Sequence, residues 1–210
     1  SKLGRHRRIS TQPVGEAGHP HQPVTPDGLD RWRSNFGPYA WSRDIENWRL
    51  VGFDSMQIGS GLEEEAEQAA WLERTMEEAQ GRRLALFTHR PLFVENAGEG
   101  DTGYWSIKPA PRRKLLDLAR RNGVAIIATG HLHRAHDNPV DGCRFIWGNA
   151  AGFLVGPTEQ PPMPGEARLG AVVYDFFGSE VTIARPHVPG LTDFWIDDVI
   201  HEVYPPRQAA

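Results

Sequence analysis

An α/β fold follows from three features of the sequence. Two short apolar runs, Leu84 to Thr88 and Val124 to Thr129, read as buried strands. Between them, Pro111 to Arg121 reads as a helix, with proline at its first position and Asn122-Gly123 at its end. Ahead of both lies Glu63 to Gln80, where Ala66, Ala69, Ala70, Leu72, Met76 and Ala79 recur at helical spacing, acids come first and Gly81 closes the stretch. Helices alternating with buried strands call for a layered α/β architecture.

The remaining elements fall into place around that unit. Residues 1–38 carry no clear period; Gly and Pro cluster from Pro13 to Pro38, and the sequence predicts an irregular arm there. Tyr39 to Arg43 and Trp48 to Phe53, joined by a turn at Asp44 to Asn47, predict a β-hairpin. Towards the C-terminus, Arg144 to Trp147, Leu169 to Phe176 and Val181 to Ala184 predict strands, the last two paired through Gly178-Ser179. A single domain over 39–204 and a tail over 205–210 complete the expected organisation.

Composition narrows the function. The 210 residues are 39% hydrophobic and 24% charged, with seven Trp and nine Phe, enough to build a core. The net charge of -4 leaves no broad cationic surface, so binding to a nucleic-acid backbone is not expected. One cysteine, Cys143, excludes an intrachain disulfide and a cysteine-based zinc site, so any metal must sit on histidines and carboxylates. No apolar run reaches the ~18 residues of a membrane span. Lys2 to Arg8 is basic but lacks the apolar stretch of a signal peptide, which points to the cytoplasm.

Both buried strands run into histidine. Leu84 to Thr88 leads to His89-Arg90-Pro91, and Val124 to Thr129 leads to Gly130-His131-Leu132-His133. Ligands of open α/β sheets gather at the carboxyl ends of strands. In extended geometry His131 and His133 project to one side while Leu132 turns into the core, and Gly130 leaves room where the backbone bends past the site. One histidine at a strand end is ordinarily a surface or hydrogen-bonded core residue. Three at the ends of neighbouring strands are a candidate metal site, and neutral imidazole suits Zn, Mn or Fe.

An ordered set of motifs resembles the calcineurin-like metallophosphoesterases. Trp48-Arg-Leu-Val-Gly-Phe-Asp-Ser55 is similar to the family's strand ending in Asp-Ser, and Glu67-Gln-Ala-Ala-Trp-Leu-Glu73 to its Gln-x-x-Trp-Leu helix. Phe87-Thr-His-Arg-Pro-Leu92 resembles its isolated-histidine motif, and Gly130-His-Leu-His133 its Gly-His-x-His motif. The likeness covers about Phe36 to Ile183. It implies a β-sandwich flanked by helices, incomplete in its N-terminal half, and two divalent metals (Mn, Fe or Zn) per complete site. His89 and His131 would hold one ion and His133 would help hold the other. It further implies hydrolysis of phosphate mono- or diesters, with a small-molecule phosphoester as substrate, by a metal-activated water.

The family's Asp-x-His, Gly-Asp-x-x-Asp and Gly-Asn-His motifs have no counterpart in the chain, which contains no Asn-His dipeptide. Truncation or replacement of the N-terminal part is one expectation; a pseudoenzyme or metal-binding interaction module is the alternative function. His19 and His21 are the possible substitute ligands, although a Pro-rich loop loses entropy on ordering around an ion. Asp54 is expected to cap a turn rather than bind metal. Glu95, Glu99 and Asp101 read as solvated loop acids, with Glu95 and Asp101 possible at the substrate mouth. Tyr104 and Trp105 either pack there against an aryl group or nucleobase, or cover the core. A homo-oligomer covering apolar surface is expected, with no membrane partner.

Overall fold

The computed structural model describes residues 24–203. His19, His21 and the tail over 205–210 lie outside them. Nine strands form a seven-stranded sheet and a separate two-stranded hairpin. The large sheet runs in the order β1-β2-β3-β4-β6-β5-β7. Its centre is parallel, β2 (Trp48–Gly52), β3 (Arg83–Phe87), β4 (Val124–Thr129) and β6 (Cys143–Trp147), and β1 (Trp41–Ile45) and β5 (Arg134–Val140) pair antiparallel at the flanks. The short β7 (Glu166–Ala167) adds to β5.

Three layers result. On one face α2 (Glu63–Glu77) and α3 (Pro109–Arg121) pack Leu72, Met76, Leu115 and Ala119 onto Val51, Leu84, Leu86 and Ile127 of the sheet. On the other, β8 (Val173–Phe177) and β9 (Glu180–Ala184) lay Tyr174, Phe176, Val181 and Ile183 over Trp48, Leu50, Ala85, Ile126 and Ile146. The register of β4 with β3 shifts after Leu84. That shift places Val124 and Ile127 on the helix side and Ile126 and Ala128 on the hairpin side.

Four sequence expectations need correction. Part of the expected arm is a helix, α1 (Pro26–Phe36): Thr25 Oγ1 accepts from Gly28 N, Pro26 opens the first turn and Gly37 ends it at φ 86°. Buried Leu29 and Val24 pack on Met56, and Leu29, Trp32 and Phe36 recur at helical spacing along α1. α3 begins at Pro109, not Pro111. β5 was not anticipated, because its run Arg-Ala-His-Asp-Asn-Pro-Val is polar and holds Pro139. β8 begins at Val173; Leu169 makes only an isolated bridge to Ala150.

In the parallel strands the chain direction is shared, so the segments after Gly52, Phe87, Thr129 and Trp147 all emerge at one edge of the sheet. Asp54, His89 and His131 follow three of these strand ends.

Candidate metal centre

The parallel ladder continues past the strands and draws the histidines together. Thr88 N donates to Ala128 O at 2.9 Å, and the amides of Gly130 and His131 both donate to His89 O, at 3.1 and 3.0 Å. His131 Nδ1 then lies 3.0 Å from His89 Nε2, with ring centroids 4.8 Å apart and planes at 72°.

His133 arrives differently from the extended geometry expected of it. Residues 131 and 132 form a turn and His133 has φ 55°, so its ring swings onto Phe153. Leu132 is buried as expected. Gly130 is not needed for space, since a Cβ there would meet no atom within 4 Å.

Hydrogen bonds fix the protons on two rings. A carbonyl only accepts, so His131 Nε2, 3.1 Å from Tyr104 O, carries hydrogen and Nδ1 turns its lone pair to His89. By the same rule His133 Nδ1 donates to Phe153 O at 2.9 Å, leaving Nε2 as the acceptor nitrogen. Burial, then the neighbouring His133 and Arg90, push His89 down to about 4. Burial, His89 and Arg90 hold His131 well below the usual imidazole range, against the opposing pull of the Tyr104 carbonyl. Burial also lowers His133, opposed by its bond to Phe153. The rings are therefore neutral at pH 7, the form that ligates a metal.

The His89–His131 pair fits an ion. His89 Nε2 and His131 Nδ1, 3.0 Å apart, would both be within reach of one ion and are the nitrogens that would hold it. His89 would release its shared hydrogen and protonate Nδ1 instead. Among the described residues no three His, Cys, Asp or Glu side chains converge as a ready-made cluster. Among the described residues the set thus offers imidazoles to one ion and no carboxylate that a second would share.

Asp54 takes the structural role expected of it. It caps a 3-10 turn, Ser55–Gln57, with Oδ1 accepting from Met56 N at 2.8 Å and Oδ2 from Gln57 Nε2 at 3.1 Å. Gln68 of α2 clamps its backbone, accepting from Asp54 N and donating to Asp54 O, both at 2.9 Å. Burial pushes the Asp54 carboxyl up to about 6, against the lowering effect of these donors.

The loop after His89 forms a wall over the pair. Tyr104 sits 4.6 Å and Trp105 6.3 Å, centroid to centroid, from the His131 ring. Asp101 Oδ1 accepts from Gly103 N at 2.8 Å, and Glu95 is exposed. Glu99 is not the solvated acid expected: Oε1 accepts from Val94 N, Ser106 Oγ and Arg112 Nη1, and Arg112 is 1% exposed. Sequence reasoning missed Arg112, Arg90 and the Phe153 carbonyl as supports, because their partners lie in other segments. Burial pushes the thiol of the lone Cys143 up to about 12, away from the thiolate form.

A groove of about 830 Å³ opens between α2 and α3, lined by Phe53, Leu62, Ala69, Leu115 and Leu118 among others. None of the three histidines lines it, so volume and candidate chemistry part company here; the donor set carries the functional argument.

No protein-family profile matches the chain. It is 32% identical over 138 residues to the serine/threonine-protein phosphatase CPPED1 of Danio rerio, covering 63% of this chain and 44% of that protein. To the Homo sapiens protein of that name it is 29% identical over 92 residues, 42% of this chain and 29% of the other. The chain thus spans less than half the length of these curated relatives. In fold it is similar to a dimetal phosphatase from Danio rerio, with a TM-score of 0.52 at 13% identity over 75% of this chain and 64% of the other. It is also similar to GAP50, the anchor in the inner membrane complex of Plasmodium, with a TM-score of 0.53 at 10% identity over 78% and 51%. These likenesses relate the chain to the calcineurin-like metallophosphoesterases and agree with the layered α/β fold.

Proposed function

We propose that the chain takes part in divalent-metal-dependent hydrolysis of phosphate mono- or diesters, with His89 and His131 holding one ion and His133 serving a second. The observation that carries this reading is the pair of neutral imidazoles 3.0 Å apart at the carboxyl edge of the parallel sheet. Relatives named as phosphatases support the reaction class. A divalent ion such as Mn, Fe or Zn, bound there, would supply Lewis-acid polarisation of a phosphoryl oxygen and an acidified water.

The chain's own residues supply the rest. Tyr104 O keeps the His131 hydrogen on Nε2, and Phe153 O keeps that of His133 on Nδ1, so the lone pairs sit on His131 Nδ1 and His133 Nε2, the former available once His89 shifts its hydrogen to Nδ1. Tyr104 and Trp105, edge to face at 5.0 Å, offer an aromatic surface beside the pair for a planar leaving group. Asp101 holds the start of that surface through Gly103 N.

The test is hydrolysis of an aryl phosphate monoester and diester with added Mn or Zn. Wild type is expected to respond to metal, and His89→Ala or His131→Ala to lose ~10²-fold or more, the scale of removing one preorganised electrostatic element. Rates that ignore both the metal and the substitutions overturn the proposal.

A further inference from the structure

Arg90 lies beside the two histidines without being a metal ligand, and its surroundings say what it does. It is 6% exposed. Its amide donates to Ser55 Oγ at 2.8 Å, fixing it to the end of the neighbouring strand. Its Nη2 is in hydrogen-bond range of three carbonyls of the loop wall: Gly103 O at 2.9 Å, Tyr104 O at 3.1 Å and Ser106 O at 2.6 Å. The middle one is the oxygen that accepts from His131 Nε2.

We propose that Arg90 is the positioning residue of His131: it gathers the carbonyls of residues 103–106 and thereby presents the Tyr104 oxygen that holds His131 as the Nε2–H tautomer. Three carbonyl oxygens converging beside a buried ring repel one another unless a cation lies among them, and each would be costly to leave without a donor. A guanidinium nitrogen answers both needs: Arg90 Nη2 lies within hydrogen-bond range of all three oxygens and brings positive charge and two hydrogens among them. Tyr104 O is then pinned between Arg90 and His131. Glu99 and Arg112 anchor the same loop from its far side, so the wall is held at two points and Arg90 is the one that touches the ring's partner.

The consequence for the ring is specific. With hydrogen on Nε2, Nδ1 faces His89 as an acceptor. If Tyr104 O moved away, the two neutral tautomers would become closer in free energy and the lone pair would be directed at His89 only part of the time. Outer-shell partners of this kind are worth 10- to 100-fold in metal affinity. Only this last consequence rests on the proposed metal reading; the tautomer does not.

The experiment uses the full chain with 15N-labelled histidine. NMR of the metal-free protein reads the His131 tautomer, and Co2+ titration reads affinity, for wild type, Arg90→Lys and Arg90→Gln. Wild type should show His131 protonated at Nε2 alone. Arg90→Gln removes the cation from among the three oxygens and should populate the Nδ1–H form and lose about tenfold or more in Co2+ affinity, while Arg90→Lys, which keeps a cation with three donors, should hold the wild-type tautomer better than Arg90→Gln. An Nδ1–H ring in wild type overturns the proposal without any variant, which covers substitutions that fail to fold. So does Arg90→Gln with the wild-type tautomer. Wild type that shows the Nε2–H ring yet binds no Co2+ removes the metal reading of the site, while the tautomer comparison still decides the role of Arg90.

Discussion

His89 and His131 are brought into contact by backbone, not by each other: two amides donating to His89 O set their separation before either ring is considered. This much was legible in the sequence, because each histidine directly follows an apolar run long enough to be a buried strand. The conformation of His133 was not, since its left-handed φ depends on the turn and on Phe153, twenty residues away. Asp54 lends itself to a pH test. Its carboxyl, held at about 6 when folded, binds a proton that the unfolded chain releases near pH 4. Between those values the folded state binds more protons, so this group's contribution to stability falls as pH rises from about 4 to about 6. Asp54→Asn removes that loss. The stability of Asp54→Asn minus that of wild type, from urea unfolding, is expected to grow by on the order of 2–3 kcal/mol across that window and to level off above it. A difference independent of pH contradicts the assignment. Buried His89 and His131 act in the opposite sense in both proteins and cancel in the subtraction.

Among the elements, the parallel strands and α2 could be read from apolar pattern alone, whereas α1 and the loop wall could not. α1 has Leu29, Trp32 and Phe36 at helical spacing but buries Gly28 and Leu29 alone and lies in a Gly- and Pro-rich stretch, so its clearest sequence evidence lies in its caps. Thr25→Ala should cost about 1 kcal/mol, the usual worth of an N-cap, and Leu29→Ala roughly 2–5 kcal/mol, measured by thermal or denaturant unfolding. If neither shifts the transition, α1 is not docked. The loop wall was invisible for another reason: Glu99 and Arg112 are thirteen apart, in a Gly-rich stretch and a helix, and nothing in either local pattern marks a buried ion pair. Their side chains are 10% and 1% exposed. Removing the cation strands a buried carboxylate, so Arg112→Met should destabilise by about 3–5 kcal/mol. Glu99 keeps its backbone donors at Val94 and Glu95, which argues for the lower part of that range. A loss below about 1 kcal/mol would mean that solvent reaches the pair.

For the molecule as a whole, the three layers bury the sheet on both faces but leave the outer side of the β8–β9 hairpin in water. Phe177 is 80% and Val173 49% exposed there, and a two-stranded sheet has two unpaired edges. Association through this side is expected, and sedimentation showing only 23.5 kDa particles at micromolar concentration would contradict it. A metal locus at the sheet edge, built on His89 and His131, is read from one quantity. The most direct measurement is transition-metal content after equilibrium dialysis against Mn or Zn, compared among wild type, His89→Ala, His131→Ala and His133→Ala. A bound ion is expected in wild type, abolished by His89→Ala and by His131→Ala and largely retained by His133→Ala. Equal metal content in wild type and His131→Ala would contradict that expectation.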